Sequence, residues 1–364
     1  MKAALISLGS KSSMMTAEAM KKYFDEVDVL QLRDIEVNLG KESGILYQGE
    51  PMKDYDCVFL KGSFRYANIL RSIASMLEKK VAYMPIPADA FSTVHNKLLS
   101  HLKMQQDNIP MPRTYVSSTI EAAKRLLNRV SYPIVMKFPE GTQGKGVMFA
   151  DSVSSAVSLL DALVALNQPV IIQEYVETGG TDIRAIVVGD KVVASYKRRA
   201  QKEDKRSNIH AGGSGEAVLL SWEAAKVAVQ TAKALGIDIC GVDILESPLG
   251  PVIIEANLSP GLQGISQISP VDIPDAMARF MYEQTKKIVE KKRNIGAAAV
   301  LRDISIDQPK KENGNGHAII SPLKINGDRI ILPDFVNKIA KFSESKEYSI
   351  KASKGNVVIE EFEM

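Results

Sequence analysis

Residues 239–257 read ICGVDILESPLGPVIIEAN, and the rest of the chain is best understood outward from this stretch. Two apolar runs, Ile239 to Leu245 and Pro251 to Ala256, are joined by the turn-forming Ser247-Pro248-Leu249-Gly250, which reads as two adjacent strands. Glu255 and Asn257 are two apart and therefore share one face of their strand, while the preceding strand returns to set Asp243 beside them. Two carboxylates and an amide oxygen facing one another form a hard oxygen site, of the kind magnesium occupies while bridging nucleotide phosphates. Both acids are flanked by aliphatic residues, and an acid buried without a partner is costly, which argues against a merely solvated polar edge.

Two further segments carry matching chemistry. Lys137-Phe138-Pro139-Glu140-Gly141-Thr142-Gln143-Gly144-Lys145-Gly146 directly follows an apolar strand, Ile134 to Phe138. Its glycines let the backbone fold closely over phosphates, and Lys137 and Lys145 supply positive charge. The spacing is neither that of a P-loop nor that of a dinucleotide fingerprint, and a plain glycine-rich turn accounts for it equally well. The third segment runs from Tyr196-Lys197-Arg198-Arg199 to Arg206-Ser207-Asn208-Ile209-His210-Ala211-Gly212-Gly213. Such a basic stretch is either a solvated face or a binding loop, since arginine forks fit carboxylate and phosphate.

Around these segments the chain alternates strand and helix patterns. Ala3 to Leu8, Val27 to Leu30 and Cys57 to Leu60 are strand-like, with helical spacing over Thr16 to Phe24 and Tyr66 to Glu78, which predicts a parallel α/β sheet. Pro85 and Pro87 mark a boundary, followed by a helix over Val94 to Gln106. Further on come a helix over Ser154 to Leu166, a strand over Val170 to Tyr175, a hairpin turned at Gly189-Asp190, and helices over Trp222 to Leu235 and Ile273 to Lys291. The expected divisions are an amino-terminal α/β domain over 1–86, a central lid over 87–175, a carboxy-terminal subdomain over 176–300, a linker over 301–317 and a small appended α+β domain over 318–364. The linker is expected because Asn313-Gly314-Asn315-Gly316 and its neighbours lack apolar periodicity.

Taken together, these segments resemble the ATP-grasp superfamily and, within it, the RimK-like glutamate ligases. Glu140-Gly141-Thr142-Gln143-Gly144, Gln173-Glu174-Tyr175, Asp182-Ile183-Arg184, Arg206-Ser207-Asn208 and Glu255-Ala256-Asn257-Leu258-Ser259-Pro260-Gly261 stand in the family's order and near its spacing, between about Lys97 and Met281. The resemblance implies ATP held between lid and carboxy-terminal subdomain, with magnesium or manganese, two ions in all. It further implies that Lys97 and Lys137 touch ATP phosphates and that Gly141, Thr142, Gln143 and Gly144 cover them. Glu174 and Tyr175 would present the adenine edge, Asp182 would hold the ribose, and Arg206, Ser207 and Asn208 would close on the phosphates. Asp243, Glu255 and Asn257 would bind metal, Arg206 and Lys137 would offset charge during phosphoryl transfer, and Arg184 and Arg198 would hold substrate carboxylates or form structural ion pairs. The reaction implied is amide formation through an acylphosphate, adding glutamate to a peptide or coenzyme acceptor; a carrier-protein ligase and a nucleotide-binding regulator are the alternatives.

Composition bounds the remaining classes. A formal net charge of +3 over 364 residues gives no reason to expect nucleic-acid binding. Cys57 and Cys240 are far apart and each lies in an apolar run, which favours free buried thiols and a reducing, cytoplasmic setting. No apolar stretch reaches membrane-spanning length, so no membrane partner is expected. The segment from Ala318 to Met364 carries more apolar residues than so small a unit buries easily, which points to docking against another surface and to a homo-oligomer.

Overall fold

The computed structural model describes residues 1–41, 43–141, 146–166, 168–199, 214–304, 324–326, 329–332, 336, 340–343, 345–353 and 356–362, with backbone alone at 214, 294–304, 324–326, 329 and 356. It divides into two compact units, Met1–Val300 and Leu301–Met364.

The first unit opens with β1 (Lys2–Ser7), then α1 (Lys11–Met20), whose first turn is capped by the Ser10 hydroxyl accepting from Ser13 N. There follow β2 (Glu26–Gln31), a meander of β3 (Ile35–Asn38), β4 (Gly44–Tyr47) and β5 (Glu50–Pro51), then β6 (Cys57–Leu60) and α2 (Ala67–Leu77). β1 lies between β2 and β6 and pairs in parallel with both, the arrangement expected from the strand and helix alternation. The meander escapes a sequence reading because its strands are two to four residues long and largely half-exposed, leaving little period-two pattern.

The single helix expected over Val94 to Gln106 is instead two, α3 (Ala88–His95) and α4 (Lys97–Gln106). Asn96 between them is extended, and its side chain accepts from Leu98 N and Leu99 N, so it ends one helix and caps the next. A second sheet is built from β7 (Thr114–Tyr115), α5 (Ile120–Leu127), β8 (Ile134–Lys137), β9 (Val147–Ala150), α6 (Val153–Ala165) and β10 (Ile171–Glu174), in strand order β7-β10-β8-β9. Its core, including Leu127, Ile134, Met136, Leu160 and Ile172, is separate from the larger one. Phe91, Val94 and Met104 of α3 and α4 belong to that larger core.

The third sheet carries residues 239–257. It comprises β11 (Thr181–Val188), β12 (Lys191–Arg199), β13 (Ser214–Ala217), α7 (Trp222–Ala234), β14 (Ile239–Ser247) and β15 (Gly250–Asn257), ordered β13-β12-β11-β14-β15 and antiparallel throughout. α7 packs on it, and the apolar side chains of Ile183, Ala185, Val242 and Ile244 are buried in the core. α8 (Gln263–Ile268) and α9 (Ile273–Ile304) complete the unit, α9 running well past the Lys291 expected from periodicity. In the second unit β16 (Lys324–Asn326) pairs with β17 (Arg329–Ile331) and β18 (Tyr348–Ser353) with β19 (Asn356–Glu361), while the Asn313-Gly314-Asn315-Gly316 stretch lies outside the described residues. Among the described residues no helix is long and apolar enough to cross a membrane, and Cys57 and Cys240 are both free and buried.

Gly189 turns the β11–β12 hairpin at φ +63°, and a Cβ there would sit 2.3 Å from Phe280 Cε2. Both the left-handed backbone and the ring exclude a side chain. Gly189→Ala is expected to lower stability by about 1–3 kcal/mol, read as a lower urea midpoint with unchanged slope.

Candidate active site

Strand register gathers the predicted acids. Asp243 pairs with Glu255 across β14 and β15, and Gly241 pairs with Asn257, so the three side chains share one face of the sheet. A bulge lies at this point: Asp243 faces Glu255 but Ile244 faces Ile253, leaving Ile254 as the extra residue. On the same face β11 contributes Asp182 and Arg184, and β12 contributes Arg198 opposite Asp182.

These groups form a buried network of charge. Arg184 Nε and Nη2 each donate to Asp243 at 2.6 Å, a bidentate fork, and Arg198 Nη2 lies 2.9 Å from Asp243 Oδ2. Arg198 Nε donates to Asp182 at 2.6 Å. Burial alone would push the Asp243 carboxyl up, but Arg184 first and Arg198 second overrule it and hold it at about 2. Of the two readings open for Arg184 and Arg198, the geometry displays the ion pair. Asp182, expected at the ribose, likewise spends its carboxylate on Arg198.

Two lysines reach the acids from other elements. Lys97, the first residue of α4, places Nζ 3.9 Å from Glu255 Oε2 and donates to Gly141 O at 3.0 Å. Lys137, the last residue of β8, is buried and donates to Gln173 Oε1 at 2.8 Å. Burial depresses its ammonium to about 8, Lys97 adds to the depression and Glu255 opposes it.

Sequence reasoning gave Gln173 no role and passed over His101, yet together they fix Lys137. Gln173 Nε2 donates to Thr114 Oγ1 at 2.7 Å and faces His101 Nε2 at 3.2 Å, while His101 Nδ1 lies 2.5 Å from Lys97 O. A carbonyl can only accept, so His101 Nδ1 carries the proton and Nε2 accepts from the amide. With both amide hydrogens engaged, the Gln173 oxygen is left for the lysine. Burial and the nearby Lys137 push His101 down to about 4, which keeps it neutral as this pattern requires. The only sequence signal was an apolar strand containing a glutamine.

Next to Gln173 at the end of β10, Glu174 N donates to Arg113 O at 2.9 Å, and Tyr175 N just beyond donates to Pro133 O at 3.4 Å. The ring of Tyr175 meets Phe149 edge-on. Gly141 has φ +147°, and at Gly146, φ +78°, a Cβ would lie 2.3 Å from Phe138 Cδ2, so the loop folds against its own strand only with glycine there. Thr142, Gln143, Gly144, Arg206, Ser207 and Asn208 lie outside the described residues.

This geometry can be set beside known proteins. A model of the RimK-like ATP-grasp domain matches residues 94–281. The chain is 34% identical to a probable alpha-L-glutamate ligase 2 of Pseudoalteromonas atlantica over 301 residues, covering 81% of this chain and 100% of the relative. The chain belongs to the RimK-like ATP-grasp family. A second family relative, a probable alpha-L-glutamate ligase of Saccharophagus degradans, is 37% identical over 254 residues, 69% of this chain and 84% of its own. The fold is shared with the ATP-grasp ligase PsnB complexed with minimal precursor, Mg and ADP, at a TM-score of 0.61 and 18% identity, covering 78% of this chain and 98% of that one. It is shared also with a RimK domain ATP-grasp protein of Sphaerobacter thermophilus, at a TM-score of 0.60 and 19% identity, covering 77% and 99%. This RimK-like chain is accordingly an ATP-dependent, ADP-forming ligase.

The donor set suits the magnesium that ATP-grasp ligases use. Glu255 keeps a side chain about 30% exposed with only a long contact to Lys97, and Asn257 on the same face brings an amide oxygen as a second hard donor. Asp243 differs, because both its oxygens already accept from arginine. The sequence alone would treat Asp243→Asn and Glu255→Gln as equivalent losses of a metal ligand that spare the fold. The structure separates them. Asp243→Asn leaves two buried guanidinium groups short of a counter-charge and is expected to cost about 3–5 kcal/mol, whereas Glu255→Gln is expected to stay within about 0.5 kcal/mol of the parent. Because the folded Asp243 is depressed from 3.8 to about 2, its contribution is present above pH 3.8 and lost as pH falls through about 2. Denaturation curves of the two variants and the parent between neutral and acid pH check both statements.

Proposed function

We propose that this ligase joins L-glutamate to the terminal carboxylate of a peptide acceptor. The observation that supports it most directly is the convergence of Lys97 and Lys137, from different elements, on the face holding Glu255, Asn257 and Asp243. Two cations beside a metal-binding face suit a nucleotide triphosphate whose terminal phosphoryl group is transferred. The acceptor carboxylate oxygen attacks the γ-phosphorus, ADP leaves, and an acylphosphate remains. The glutamate amine then attacks that carbonyl, phosphate leaves and the amine gives up a proton, forming the amide. Among the described residues no side-chain nucleophile is needed for either step; positioning and charge neutralisation are what the chain supplies.

Glutamate is favoured by the names of the relatives, probable alpha-L-glutamate ligases, and a peptide acceptor by the neighbouring ligase PsnB, seen with a precursor. In this reading two magnesium ions are held by Glu255 and Asn257, with Asp243 sharing its remaining lone pairs. Arg206, Ser207 and Asn208 close over the phosphates and Arg206 shares the charge with Lys137. Thr142, Gln143 and Gly144 cover the triphosphate, Glu174 and Tyr175 present the adenine edge, and Asp182, while paired with Arg198, meets the ribose through its remaining lone pairs. The segment from Ala318 to Met364 serves assembly or acceptor docking, and its exposed Ile330, Ile331, Ile350, Val357, Val358 and Phe362 are the described residues that favour this.

ADP release is expected to require L-glutamate together with a peptide ending in a free carboxylate, with the product heavier by one glutamyl residue on mass analysis. Amidating that carboxylate is expected to abolish release, and Glu255→Gln to lower kcat by about 10²-fold or more. Turnover with the amidated peptide, or with glutamate omitted, would count against the reading.

A further inference from the structure

One buried cation is left unused by the site as described. Lys61 is the first residue beyond β6, and its backbone N–H donates to Ile6 O at 2.8 Å, extending the pairing with β1. Its side chain is enclosed, the residue being 3% exposed, and Nζ has no hydrogen-bond partner among the described residues. The Phe59 ring lies below it with its centroid at 5.5 Å. A cation over a phenyl face gains far less than a buried, unpaired ammonium loses. Burial depresses the group to about 8, so at neutral pH most of it still carries charge.

The location gives that unused charge a meaning. β1 is the middle strand, with β2 on one side and β6 on the other, so the crevice outside the carboxyl ends of β1 and β6 is the switch point of this parallel sheet. Open parallel sheets bind ligands at such a crevice. Here its rim is tied to the segment that leaves the metal-binding strand: Gly62 N donates to Ser259 Oγ at 3.1 Å, and Leu262 N donates to Ser12 Oγ at 2.9 Å. Asn257, two residues before Ser259, holds another buried donor without a partner, its Nδ2. Two orphaned donors thus stand within two residues of the Gly62–Ser259 hydrogen bond. What this rim lacks is an anionic group that can only accept.

We propose that Lys61 and this crevice rim form an anion subsite for a substrate carboxylate that is not itself activated, belonging either to the incoming amino acid or to the acceptor. The inference rests on the ligase reading above and adds to it a second cationic contact, supplied by the amino-terminal sheet. The ATP phosphates are served by Lys97 and Lys137 from α4 and β8, leaving Lys61 for the other substrates. The flexible four-carbon stem gives the ammonium the reach to meet a ligand at this rim.

The test uses the full-length protein with magnesium and AMPPNP, titrated calorimetrically with L-glutamate and, separately, with tri-L-glutamate as an acceptor-like probe. Lys61→Met is expected to weaken one probe about tenfold or more, a loss of about 1.4 kcal/mol, while AMPPNP affinity stays within about twofold. The probe affected identifies the source of the carboxylate. Lys61→Arg, which keeps the charge, is expected to retain most of the affinity. In the parent protein that affinity should fall as pH rises above about 8 and the ammonium is lost, a dependence Lys61→Met should not show. Lys61→Met should also melt no lower than the parent, since it removes an unpaired buried charge. Equal binding of both probes by Lys61→Met and parent overturns the subsite alone, as does a melting temperature several degrees lower. If the parent binds AMPPNP but neither probe, the glutamate reading fails and the subsite falls with it.

Discussion

The Asp243 carboxylate is the constraint around which the active face is arranged. It sits on a central strand and satisfies Arg184 through a fork and Arg198 through one oxygen, while Arg198 also binds Asp182. In that enclosed setting each charge is tolerable only because the others are present. The network therefore locks β11, β12 and β14 in register and sets the distance from Asp243 to its neighbours on β15. Glu255 and Asn257 inherit their positions from it. A residue that looks like a ligand is thus also the keystone of the sheet, and its two duties are hard to separate by substitution.

A second consequence of the architecture is that the cationic side of the site is assembled from both hydrophobic cores. Lys137 stands on the lid sheet, whose core is its own, whereas Lys97 belongs to α4, which packs with the larger core. The two meet through the lid loop: Lys97 N donates to Pro139 O at 2.8 Å and Lys97 Nζ to Gly141 O. His101 and Gln173 span the same division, since one is on α4 and the other on β10. These polar connections between the cores lie among the lysines of the candidate site.

Much of this was legible in the residues. The hairpin of β14 and β15, the Gly189 turn and the strands of the amino-terminal sheet followed from periodicity and turn chemistry, because each has enough residues for its pattern to repeat. The shared face of Asp243, Glu255 and Asn257 followed from the period of a strand. Other features depend on long-range packing that no local pattern encodes. The pairing of Arg184 with Asp243 joins residues 59 apart, and the Gln173–His101 contact residues 72 apart. The break at Asn96 was missed because apolar spacing continues across it; the signal was the asparagine itself, a strong cap lying inside an otherwise helical run.

That break at Asn96 has an electrical side. By restarting the helix there, the chain sets Lys97 at the first position of α4, where the backbone N–H groups already point outward and the helix end carries positive charge. Lys137 adds a further cation, and each of the two lysines depresses the protonation of its surroundings. Burial is the largest burden on the Lys137 ammonium, and the attraction of Glu255 outweighs the repulsion of Lys97. The break at Asn96 thus places beside Lys137 a second like charge whose cost is already met in part by an acid on the neighbouring sheet.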